Sequence, residues 1–270
     1  MNTNKTAVTL VGTTISEVYC IPLIGLLGSQ QAFPAWAVNG VLQININWVS
    51  SIANAIVNTG TAITALAFSE VAFVYDRIAV EGDFIAKMKS DMASSGAKYC
   101  FGFTNYQSLT AVSTNGQNTI NTGLNVSSLR GVVMTSVLTA DLSSLTANGY
   151  SLTNGLSNFQ MSLDGRLVNT SILDATTQPA VCFVELQKVF SRCFDSSVTD
   201  NSTKALYLTQ SFAAGVSACR VAEGLAFQGS PVSVVGLQLT QSAATYTNYI
   251  VFISDYQLLI GADGQCDLVR

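Results

Sequence analysis

The chain has 270 residues, of which 49% are apolar and only 10% charged; ordinary soluble domains carry roughly 25% charged residues. Twelve Lys and Arg against sixteen Asp and Glu give a formal charge of −4 without any basic run, so direct binding to a nucleic-acid backbone lacks its main energetic term. Histidine is absent, which removes Ser-His-Asp and Cys-His catalysis and imidazole metal sites.

The elements follow in chain order. Residues Ala7–Leu10 and Ile15–Tyr19 read as short strands about Gly12-Thr13-Thr14. The stretch from Ile21 to Gly40, with two prolines, should be extended or looped. Val41–Val49 alternates, Leu42, Ile44, Ile46 and Trp48 against Gln43, Asn45 and Asn47, which predicts a strand with one core face. Residues 50–67 fit a helix and a strand equally. The uncharged span Val18–Ser69 is interrupted by amides too often to cross a bilayer, which takes about 20 apolar residues. No transmembrane segment and no signal peptide are expected, and the sequons at Asn125, Asn169 and Asn201 are then not expected to carry glycans.

Phe68–Val80 is apolar enough for a buried strand. A short helix follows near 83–95, with Phe84, Ile85, Met88 and Met92 on one face and Gly96 as its stop. We place a domain boundary there: residues 1–96 form a first module with its linker helix, and 97–270 a second. In the second, strands are expected at Tyr99–Phe103, Leu129–Leu138, Phe159–Leu163, Val181–Phe190 and Ala205–Phe212, and in the closing stretch Pro231–Arg270, where Tyr249-Val251-Ile253 and Leu258-Ile260 precede an Ala262-Asp263-Gly264 turn. Asn115-Gly116, Asn148-Gly149, Asn154-Gly155 and Asp164-Gly165 mark further turns. The Ser/Thr/Asn-rich connections 104–123 and 139–158 are too long for hairpins and suit crossings between sheets. FSEVAFVYDRIAVEGD and YTNYIVFISDYQLLIGADG share a profile, a weak sign of two copies of one β module.

Without histidine, carboxylates are the remaining candidates for catalysis, because glycosidases need two of them and no histidine. Asp164, Asp174, Glu185, Asp195, Asp200, Glu223, Asp255, Asp263 and Asp267 are the candidates. Asp164 and Asp263 lie in Asp-Gly turns that explain them, and Glu185, read as lying in an apolar strand, has Lys188 as an ion-pair partner. Asp263–Asp267 has oxygen ligands spaced for calcium but lacks the rest of an EF-hand loop. GxSxG, SxxK, Walker and GxGxxG motifs are absent. No catalytic, cofactor-binding or metal residues are therefore assigned, and the chain is not expected to be an enzyme. Cys20, Cys100, Cys182, Cys193, Cys219 and Cys266 form no CxxC pair and read as buried free thiols.

Several segments, taken in order, resemble the double jelly-roll major capsid proteins of tailless double-stranded DNA viruses. IPLIGLLGSQQAFPAWAVNGVLQININW is similar to the family's Pro/Gly segment entering an alternating strand, and SEVAFVYDRIAVEGDFIAKMKS to the strand closing the first roll plus its linker helix. FQMSLDGRLVNTSILD resembles a strand ending in an Asp-Gly turn, SFAAGVSACRVAEGLAFQGSPVSVVGLQLTQ the penultimate strands, and YIVFISDYQLLIGADGQCDL the final pair. The resemblance covers about 200 residues. It implies an all-β chain of two jelly-roll β-sandwich modules in tandem, joined by a short helix. With fewer than a hundred residues before the linker, the first roll is reduced or the chain is a portion of a longer polypeptide. The implied function is a structural virion protein that self-associates as a homotrimer and meets other capsid proteins, with the connections 104–123 and 139–158 on its exposed top or against neighbours. The alternatives are a lectin-like carbohydrate-binding sandwich using Trp36, Trp48 and tyrosines, and a minor or vertex capsid protein.

Overall fold

In a computed structural model of the chain, the structure describes residues 6–7, 25–27, 32–47, 56–57, 67, 69–124, 126–143, 155–168, 172–193, 207–208, 212–218, 225–226, 235–242 and 244–269. These residues are mostly β, with two antiparallel sheets and few helices. Before residue 96 lie β1 (Thr6–Ala7) and β2 (Ile56–Val57), a two-residue parallel pair, and helix α1 (Gly82–Ser95). Beyond it come β3 (Tyr99–Ser113), β4 (Gly116–Thr122), β5 (Ser128–Leu138), β6 (Leu156–Leu163), β7 (Arg166–Leu167), β8 (Leu173–Asp174), helix α2 (Pro179–Cys193), β9 (Ala214–Ser217), β10 (Leu225–Ala226), β11 (Val235–Gln241), β12 (Tyr246–Ile260) and β13 (Cys266–Val269).

Strand β12 organises the first sheet. On one side it pairs with β3 along all fifteen residues, from Tyr246↔Ser113 to Ile260↔Tyr99; on the other it pairs with β5 and then with β13. Strands β9 and β10 continue this sheet beyond β5. The second sheet runs β4-β11-β6-β7, with β8 also on β6. Period-2 alternation sends Val132, Met134, Ile250 and Phe252 inward from the first sheet, joined across the bulge at Arg130 by Leu129, to meet Phe159, Met161, Leu237 and Leu239 from the second. At roughly 1.5–3 kcal/mol per fully buried large apolar side chain, this layer is the main stabilising term.

The sheets exchange the chain at Asn115-Gly116, where β3 of the first sheet turns into β4 of the second. Gly116 has φ 97°, open to glycine without strain. The expected long connection at 104–123 is thus two strands and a tight corner. Ser, Thr, Asn and Gln dominate it and give it a loop-like composition, but a sheet edge with solvent on one face accepts such residues. Of the connection 139–158, Thr139–Ser143 is a single 3-10 turn, 156–158 open β6, and 144–154 lie outside the described residues.

Three further expectations are corrected. Val181–Phe190 is helical, within α2, because Cys182, Leu186 and Val189 recur at helical spacing and bury one face while Val181 and Val184 stay exposed. Pro179 occupies the first helical position, where its missing N–H costs nothing. Second, the described parts of Val41–Val49 and Phe68–Val80 have no ladder partner and are exposed, so strand-like composition has not become a buried strand. Third, Tyr207–Leu208 form a turn and the strand begins later, at Ala214. Tyr207 instead donates its hydroxyl to Ala213 O at 2.8 Å and packs against Phe183 and Phe212, with ring centroids 5.3 and 5.1 Å away. The strand reading at Ile15–Tyr19 and the first residues of the closing stretch, 231–234, lie outside the described residues.

Helix α1 matches its expected span: Met92 is buried, Ile85 and Met88 half-buried, and Gly96 closes it in the left-handed conformation at φ 68°. Part of the preceding chain docks on the first sheet. Phe33 meets Phe101 edge-on at 5.8 Å, Trp36 meets Tyr99 at 5.8 Å, and Asn39 N–H donates to Gly264 O at 3.1 Å. Helix α2 covers the outer face of the first sheet over β9. Gly215 permits that approach, since a Cβ there would lie 2.9 Å from Leu186 Cδ1 and 3.2 Å from Val189 Cγ2.

One end of the sandwich is closed by buried polar groups. Asn248 on β12, fully buried, accepts from Ser136 Oγ at 2.5 Å and donates to Ser113 Oγ at 2.7 Å, while Ser113 donates to Gln241 of the opposite sheet. Removing the amide takes one partner from each of two buried hydroxyls, so Asn248→Ala should cost roughly 2–4 kcal/mol, measured by urea unfolding; an unchanged midpoint would refute the network's role. A second test concerns the start of α2, where Asp174 Oδ1 accepts the N–H groups of Thr176 and Thr177, both at 2.8 Å. These bonds, Thr177's first, hold its pKa below the ordinary carboxylate value. Their stabilisation is therefore present above that value and lost as pH falls through the lowered one. Asp174→Ala should melt earlier than the wild type at neutral pH, with the gap closing in acid.

Candidate functional site

The candidate carboxylates that lie among the described residues are dispersed, each within its own local structure. Glu185 bonds Lys188 Nζ at 2.6 Å, the expected pairing, but on a helix face at i, i+3. Asp255 on β12 accepts from Arg130 and, at 2.7 Å, from Ser128 Oγ. Asp263 Oδ1 accepts Gln265 N–H at 3.1 Å inside its turn, and Asp267 on β13 pairs with Lys98, so this stretch is organised as a turn and a strand end. Asp164 sits in the tight β6–β7 turn with φ 46°, followed by Gly165 at φ 79°. Asp195, Asp200 and Glu223 lie outside the described residues. Among the described residues no three Cys, Asp or Glu side chains are gathered as a metal cage would need.

Cys182 is a free thiol buried against the core, and burial, with Asp174 and Glu185 adding to it, pushes its pKa up to about 11. It is held as an inert apolar group. Cys100 and Cys266 are also free but exposed, contrary to the expected burial: Cys100 lies on strand β3, and all of β13 is exposed.

An open groove of about 670 Å³ lies at the polar end of the sandwich, lined in part by Asn115, Ser157, Thr176, Thr240 and Ser242. Among the described residues no aromatic ring lines it. Trp36 packs edge-on against Tyr99. Trp48 lies outside the described residues.

The more unusual surface is apolar and neutral. Between Lys98 and Arg130 the sequence has no charge at all, and this span contains β3. Among the described residues β3 has β12 on one side only, which makes it an edge strand of fifteen residues. Its first half is covered: the 3-10 turn Gly25–Leu27 approaches Thr104, and Phe33 and Trp36 pack on Phe101 and Tyr99. Its second half exposes Leu109 and Val112. Nearby in sequence, Val71, Phe73, Val74, Tyr75, Ile78 and Val80 are all exposed, Val74 to 89%. Natural edges are commonly blunted by Lys, Pro or bulges, and none lies in this half of β3. Sequence reading missed the surface because it assigned the first segment to a loop and the second to the core.

No helix among the described residues is long and apolar enough to cross a membrane. No protein-family model matches the chain, and no curated protein matches it in sequence. Among solved structures it is similar to PBCV-1 VP54 as fitted into a reconstruction of the virophage Sputnik, with TM-score 0.43 and 10% identity over 71% of this chain and 55% of that one. It is also similar to the PBCV-1 virus capsid, with TM-score 0.38 and 12% identity over 64% and 52%. The mavirus major capsid protein gives TM-score 0.37 and 11% identity over 63% and 41%. The chain thus spans about half the length, or less, of the structures it matches.

Proposed function

We propose that this chain is a structural virion protein that works by self-association, forming a homotrimer that packs with further copies and with other capsid proteins into a shell. It acts without catalytic, cofactor or metal residues and without direct nucleic-acid contact. The observation that carries this reading is the uncharged edge of β3 together with the exposed apolar run Val71–Val80. Apolar patches of this kind mark interaction surfaces, and little charge opposes contact between copies. The order of segments resembling double jelly-roll capsid proteins favours a shell over other oligomers, with a module boundary near Gly96 and the described sandwich as the second roll.

Sedimentation of the purified chain tests the reading. A trimer or larger species is expected, with hexagonal arrays or shells by electron microscopy under assembly conditions; a monomer at every concentration would overturn it. Glu185→Gln, which removes one end of the helix-surface pair with Lys188, should alter stability or assembly and no turnover. A hydrolytic activity abolished by that change would refute the structural role.

A further inference from the structure

Residues 69–81 run without a turn, a bend or a ladder partner among the described residues. Within this run the rings of Phe73 and Tyr75, two positions apart, stack at 5.2 Å with an interplanar angle of 19°. Side chains at i and i+2 share a side only in a strand-like backbone. The segment is therefore extended, with no backbone partner among the described residues, and Val71–Tyr75, reading VAFVY, carries no charge and no proline. Sequences of this kind favour pairing.

Elsewhere in the chain, β3 offers the complementary partner. Gln107–Val112, reading QSLTAV, is equally uncharged, holds regular register with β12 and has no strand on its other side among the described residues. Adding a strand to such an edge satisfies backbone groups on both partners, with alternate side chains setting the fit. Here Leu109 on the edge and the Phe73–Tyr75 stack supply apolar contacts, and no charged group has to be desolvated. Within one chain the two runs stay unpaired, though only residues 76–98, mostly α1, separate the donor from the start of β3. We infer that Val71–Tyr75 of one copy adds to the Gln107–Val112 edge of β3 in a second copy, extending the first sheet across the contact between subunits.

This inference rests on the self-association reading, and two measurements separate them. Proline at Val74 disturbs no ladder within the described chain but removes an N–H from the donor strand. Val74→Pro should keep the wild-type melting curve at monomer concentrations while raising the association midpoint in sedimentation about tenfold or more. Leu109→Lys, which charges the receiving edge, should do the same. If wild type associates and both variants associate equally well, strand addition is wrong and self-association stands. A wild-type chain that stays monomeric overturns both.

Trans geometry is read by mixing differently tagged Val74→Cys and Thr110→Cys chains, each in a background with Cys20, Cys100, Cys193, Cys219 and Cys266 changed to Ser. A disulfide joining the two tags is expected. Bridging within a single chain that carries both cysteines, with none between tags, would show the segment folding onto its own edge and overturn the inference.

Discussion

Everything described beyond Tyr99 depends on how β12 is held. A fifteen-residue strand shares hydrogen bonds with β3 on one side and with β5 and β13 on the other, so its register fixes theirs. Both faces are committed: Ile250, Phe252 and Tyr256 face the core between the sheets, while Ile253 packs on the opposite side with Val189 of α2. A slip of one residue would exchange those faces, which is why polar pins matter. Asn248 locks the beginning of the strand to Ser113 and Ser136. Farther along, a bulge between Ile253 and Ser254 leaves Arg130 of β5 unopposed in the ladder, where its guanidinium bonds Asp255. Hydrophobic alternation supplies most of the stabilisation; these few polar contacts select one register from several.

The parts legible in the sequence are those where local chemistry and tertiary packing agree. The Asp164-Gly165 turn, the Gly96 stop and the alternating strands flanking Ala262-Asp263-Gly264 were readable because residue type and backbone conformation are tightly coupled there. Helix α2 was not, because VCFVELQKVF is apolar nearly all round: Cys182, Leu186 and Val189 face the sandwich, yet Val181 and Val184 stay exposed and blur the period. Strand β3 failed in the opposite direction. Asn105, Gln107, Ser108 and Thr110 look like loop residues until a long partner strand is present to pair with them.

The same limit explains the misreading of Val41–Val49 and Phe68–Val80. Strand propensity measures how well a side chain suits a pleated, half-buried surface, and neither segment has that surface in the described chain. Among the candidate site residues, Glu185–Lys188 was readable as a pair, although not as a helical one. The neutral edge was present in the sequence as an uncharged span, but only the topology shows that it runs along the outside of a sheet.

Charge economy links the interior to the surface. The ion pairs formed by described residues each secure a specific juncture: Lys98 to Asp267 joins the start of β3 to β13, Arg130 to Asp255 joins β5 to β12, and Lys188 to Glu185 lies along α2. The remaining polarity of β3 and β4 is hydroxyl and amide. Such groups keep a sheet face hydrated, yet they cost far less than carboxylates or ammonium groups to bring into contact with another surface, because their hydrogen bonds are readily remade there. The composition that makes β3 look like a loop is thus the composition that lets a solvated edge be buried, and a chain with few charges can serve as both core and contact without changing its chemistry.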